Sequence, residues 1–102
     1  MGLDLAGSEK SQSGYSLIEN TTLIDYGVLF SNQDIKQYII KSNPNLIAID
    51  APFNFPKTGS GFRDCDLLMK QIGLSPLPLT LPGMQILVNR VRKLLSWLKD
   101  KN

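Results

Sequence analysis

Residues 46–49, LIAI, form a short unbroken apolar run that ends at Asp50 and is closed off by Pro52. A run of this kind reads as a strand buried on both faces, and such strands lie parallel to a neighbour. Parallel pairing needs a crossover, which is usually helical. The preceding segment supplies it. Ser31 fits an N-cap and Asp34 puts negative charge in the first turn. Ile35, Ile39 and Ile40 recur with Tyr38 at helical spacing until Asn43-Pro44 stops the helix.

Three extended runs come before that helix. Residues 2–7, GLDLAG, alternate small or acidic residues with leucines, the period-two pattern of a strand. The Ser/Gly-rich stretch GSEKSQSG breaks the run, and residues 15–18 resume it, giving a hairpin with a long connection. Residues 21–30, TTLIDYGVLF, are β-branched and aromatic and give a third strand. Under the right-handed crossover rule the fourth strand returns beside the first and parallel to it. Residues 52–61 read as loop, 64–72 as a short helix stopped by Gly73, and SPLPLTLPG as an extended, proline-punctuated link. A longer helix over 84–99 carries Leu87, Val91, Leu94 and Leu98 as its core stripe, with Ile86, Leu95 and Trp97 at the margins. The fold class is therefore α/β: three antiparallel strands, a helix, a parallel fourth strand, then two helices.

A chain of 102 residues with 42% hydrophobic content has enough material for one core, so a single domain over 1–102 is expected. One cysteine and no histidine exclude an internal disulfide and a zinc site, and point to a reducing, cytoplasmic setting. No stretch reaches the roughly 18 apolar residues of a membrane span, and the N-terminus lacks the pattern of a signal peptide. The net charge of +2 is too small to announce a nucleic-acid binder. Arg90, Arg92, Lys93, Lys99 and Lys101 nevertheless crowd the end of the chain. They would either track phosphates or form the solvated, dipole-favoured end of the last helix.

The pairing of strands one and four carries the functional expectation, because it sets Asp4 and Asp50 side by side about 4.8 Å apart. Two carboxylates roughly 5 Å apart repel by about 3 kcal/mol at an effective dielectric near 20. A shared proton, an arginine or a divalent cation would offset that cost, and an oxygen-only donor pair with no His or Cys suits Mg²⁺ or Mn²⁺. Gly2, Ala6 and Ala48, on the same pleat faces, leave room for the ion and a ligand. The alternative is that Asp4 faces solvent and Asp50 caps a turn before proline.

Other residues carry lesser signals. Arg63 could clamp a phosphate or a carboxylate, and Asp66 could serve as a further metal ligand; Asp64 fits an N-cap. Ser8 and Ser13, with Lys10 between them, could cradle a nucleotide phosphate, although no Walker pattern is present and ordinary turn chemistry also fits. Cys65 has no histidine to act as its base.

The segments GLDLAGSEKSQSGYSLI, NLIAIDAPFNFP, GFRDCDLLMKQIGL and LPGMQIL, in this order, resemble the bacterial and archaeal proteins described as predicted nucleases of ribonuclease H fold. The resemblance implies a ribonuclease H-like sheet in which Asp4 and Asp50 match the family's strand-one and strand-four acids. It implies divalent-metal phosphodiester hydrolysis of nucleic acid, the two-metal arrangement. The chain departs from the family in lacking its last strand and its helix with a further aspartate; the only late acid is Asp100. An uncovered sheet edge beside strand four would then be open to a second copy or a partner chain. Two other function classes compete: a nucleotide-binding or phosphotransfer domain of the actin and sugar-kinase type, and a non-catalytic interaction subunit.

Overall fold

The computed structural model describes residues 1–56 and 61–101. Positions 57–60 of the expected loop lie outside the described residues. The chain forms two compact units, Met1–Ala51 and Pro52–Asn102.

The first unit holds β1 (Gly2–Asp4), β2 (Ser13–Glu19), β3 (Thr22–Leu29), α1 (Asn32–Ser42) and β4 (Ala48–Asp50). The strands make one sheet in the order β3-β2-β1-β4, with β1 antiparallel to β2 and parallel to β4. This is the mixed α/β arrangement expected from the crossover. α1 has the expected ends: Ser31 Oγ accepts the Asp34 N–H at 3.0 Å, and Asp34 Oδ2 accepts the Ser31 N–H at 3.2 Å. At its other end Asn43 turns left-handed, with φ 46°.

β1 is shorter than the expected 2–7. Pro52 has no N–H with which to extend the β4 side, and the Ala6 N–H donates to Ser13 Oγ at 3.0 Å instead of entering the ladder. β2 and β3 meet in a tight hairpin, Glu19 pairing with Thr22 across Asn20 and Thr21 at φ 49° and 72°. A bulge between Leu17 and Ile18 lets Leu17 face Asp25 while Ile18 faces Leu23.

β4 lies at the sheet edge, as expected, but it is not buried on both faces: Leu46 precedes the strand at 77% exposed, and Ala48 and Asp50 are exposed. One face of the sheet is apolar and covered: Leu3 and Leu5 are buried there, and Tyr15 meets Tyr38 of α1 with ring centroids 4.4 Å apart. Ile35 and Ile39 complete that core. The other face carries Gly2, Asp4, Gly14, Ser16, Tyr26, Val28, Ala48 and Asp50 by register, all of them exposed or half-buried.

The second unit holds α2 (Asp64–Gln71) and α3 (Pro82–Lys101). α2 ends as expected at Gly73: its N–H donates to Lys70 C=O and the Leu74 N–H to Met69 C=O, a Schellman pair. α3 starts two residues earlier than expected, with Pro82 in the first turn, where a missing N–H costs nothing. Its buried centre is Val88, Val91 and Leu94; Leu87 and Leu98 are only half-buried. A change of one position turns a helix by about 100°, so reading the stripe from Leu87 instead of Val88 shifts its centre. Arg90 is corrected with it. Placed on the solvated basic face by its sequence neighbourhood, it is 5% exposed.

Candidate functional site

The Asp4–Asp50 pair follows directly from strand register. The parallel β1–β4 ladder matches Gly2 with Ala48, Leu3 with Ile49 and Asp4 with Asp50. Leu3 and Ile49 face the α1 side, so the carboxylates on the next rung face the opposite, uncovered side. Both aspartates are exposed and line one open groove of about 550 Å³ with Gly2, Gly14, Ser16 and Ala48.

Small residues give this groove its floor. A Cβ on Gly14 would sit 4.0 Å from the Asp4 Cβ, and one on Gly2 would meet Ser16 Oγ at 2.9 Å. Longer side chains here would occupy the space beside the carboxylates. Tyr26, 74% exposed, stands on the same face across β2. Both aspartates are exposed, so water screens part of the repulsion expected between them. The geometry invites an ion without requiring one.

Among the described residues no group of three or more His, Cys, Asp or Glu side chains is gathered to hold a metal. Arg63 and Asp66 lie in the second unit and are each other's partners. Arg63 Nε donates to Asp66 Oδ2 and its second guanidinium nitrogen to Oδ1, both at 3.1 Å, while the Arg63 N–H reaches Oδ2 at 2.9 Å. Asp66 is 3% exposed. The guanidinium hydrogen bonds, then the backbone N–H, hold its carboxyl below the usual range. The N-cap position belongs to Arg63, with Asp64 in the first turn, because Asp66 reaches back to cap the helix start. The pairing that was to give Arg63 a phosphate and Asp66 a metal ion is thus used locally. The Cys65 thiol leans on Asp66 Oδ1 at 3.9 Å.

The turn serines also have structural partners. Ser13 is fully buried and its Oγ accepts the Ala6 N–H at 3.0 Å; Ser8 Oγ accepts the Lys10 N–H at 3.1 Å. Glu9 pins the same turn to the start of α1, accepting the Asn32 N–H at 2.6 Å. These contacts are those of a connection tied down at several points.

Sequence reading missed one polar cluster. Asp25 Oδ2 accepts the Tyr38 hydroxyl at 2.6 Å and the Tyr15 hydroxyl at 3.2 Å, while Oδ1 accepts the Tyr26 N–H at 2.9 Å. The Tyr38 hydrogen bond is the largest influence holding the Asp25 carboxyl below its ordinary range. Burial first, then Asp25, pushes the Tyr38 phenol up. The signal available in sequence was a lone carboxylate, Asp25, in a β-branched and aromatic strand.

No family model matches the chain, and no curated protein and no solved structure matches it.

Proposed function

We propose that this protein is a metal-dependent phosphodiester hydrolase of nucleic acid, of ribonuclease H-like type. The observation that carries the reading is the Asp4–Asp50 rung: two carboxylates on adjacent parallel strands, at the rim of an uncovered face floored by small residues. Its support from topology is the order β3-β2-β1-β4, with α1 between β3 and β4, the arrangement that the sequence resemblance implies.

The donor set fits a hard cation. Asp4 and Asp50 offer oxygens alone, and Mg²⁺ or Mn²⁺ commonly takes one or two carboxylates and fills its shell with water and phosphate oxygens. A cation so held would polarise a phosphoryl oxygen and supply an activated water. The residues themselves would fix the ion at the groove rim, while Gly2, Gly14 and Ala48 let a sugar-phosphate chain approach the backbone.

The test is calorimetric titration of Mn²⁺ into the wild type and Asp50→Asn. Saturable wild-type binding that the substitution abolishes is the expected result. Absence of wild-type binding would overturn the reading, since an exposed carboxylate pair that holds no ion has no route to this chemistry.

A further inference from the structure

The second unit contains a groove that the aspartate pair does not use. It runs along one flank of α3, is about 650 Å³ in volume, and is lined by Arg92, Leu95, Ser96, Leu98 and Lys99 with Phe53 and Asn54. Arg92, Leu95, Ser96 and Lys99 recur at helical spacing, so their side chains form one ridge beside the Phe53 segment. Among the described residues neither Arg92 nor Lys99 forms an ion pair, and no carboxylate lines the groove. Phe53 is 41% exposed.

We propose that this groove binds single-stranded nucleic acid, with Arg92 and Lys99 on phosphates and a base stacked on Phe53. Cations along a groove wall with an aromatic ring opposite are the two elements of strand-tolerant single-strand binding. Seven helical positions span about 10.5 Å, so Arg92 and Lys99 stand far enough apart to meet different phosphates of one strand. Leu95 and Leu98 give the sugar and base edges an apolar floor, and the Asn54 amide offers both a donor and an acceptor to a base edge. A duplex would hold its bases inside the stack, away from Phe53. The groove therefore selects an unpaired strand.

The proposal rests on the nuclease reading for its choice of polymer and shares none of its residues. Its test therefore excludes metal. Fluorescence anisotropy of labelled dT12 and U12 oligonucleotides, in EDTA across a salt series, would compare the wild type with Phe53→Ala, Arg92→Gln/Lys99→Gln and Asp50→Asn. The wild type should bind saturably. Phe53→Ala should weaken binding by about tenfold at unchanged salt slope. The double variant should lower the slope of log K against log salt by about 1.4, two phosphates at about 0.7 each. Asp50→Asn should bind like the wild type, so that a failed Mn²⁺ titration and a failed oligonucleotide titration point to different sites. The proposal is overturned by no binding at low salt, by loss in the double variant without loss in Phe53→Ala, or by a duplex binding as tightly as the single strand. Phe53, Arg92 and Lys99 are exposed, so circular dichroism should show all variants folded.

Discussion

Gly61 sits where α2 is launched, and adding one methyl group there tests how tightly that launch is built. Its φ is +81°, and a Cβ would lie 2.6 Å from Thr80 Oγ1, 3.0 Å from Pro78 Cβ and 3.1 Å from Thr80 Cγ2. The position is also tied, its carbonyl accepting the Leu79 N–H at 2.6 Å, so the backbone cannot simply swing away. Holding an L-residue in the left-handed region costs about 1–2 kcal/mol. Forcing a methyl into occupied space costs about 1–3 kcal/mol more. Gly61→Ala should therefore destabilise the second unit by about 2–5 kcal/mol. Thr80→Ala removes two of the three close contacts but leaves the backbone angle and Pro78. In the Gly61→Ala background it should recover about 1–2 kcal/mol, a coupling absent from the wild-type background. The assay is urea unfolding followed by Trp97, the only tryptophan, which lies in α3. A cost below about 1 kcal/mol, or strict additivity of the two substitutions, would refute the reasoning.

The Asp25 cluster makes stability depend on pH in a direction that can be worked out. Asp25 has a lowered carboxyl pKa, so its contribution is present above the unfolded value near 3.8 and is lost as pH falls through the folded one. Tyr38 has a raised phenol pKa, so its contribution is complete below the ordinary value of 10.0 and is lost as pH rises toward the folded value. Tyr38→Phe should lower Tm by a few degrees at neutral pH, and its difference from the wild type should shrink at both extremes. Thermal melts by circular dichroism from pH 3 to 11, on an approximate grid, check this; a difference independent of pH would exclude the cluster as its cause. In the β2–β3 turn, Thr21 carries a β-branched side chain at φ 72° beside Asn20. Asn-Gly is the favoured pair for such a turn, so Thr21→Gly should stabilise by about 0.5–1 kcal/mol in urea unfolding. A loss of stability would mean that the threonine does more than tolerate the angle.

What could be read from the sequence follows the range of the interactions involved. The α1 ends were legible because Ser31, Asp34 and Asn43 act within a few residues of themselves. The β1–β4 pairing was legible because a crossover leaves few topologies to choose among. The open face of β4 was hidden, since an apolar run looks the same whether one or both faces are covered. Arg90 was hidden for a related reason: its sequence neighbours are basic, yet burial is decided by the helix face. Arg63 and Asp66 were read as ligand-facing groups one by one, and their mutual (i, i+3) ion pair was hidden because it depends on how the start of α2 turns.

The aspartate rung shows why register, more than residue identity, sets the candidate site. Two devices end the ladder at one level: Pro52 removes a donor after β4, and Ser13 takes the Ala6 N–H after β1. Asp4 and Asp50 are consequently the last matched residues of their strands, at the rim where the sheet stops and a ligand can enter. A slip of β4 by one residue would turn the Asp50 side chain to the α1 face and set Ala51 or Ile49 opposite Asp4, leaving two separated carboxylates. The buried Ser13 hydroxyl, expected to hold a phosphate, thus bears on the site from inside the fold: it ends β1 at Asp4 and so helps to keep the two carboxylates on one rung.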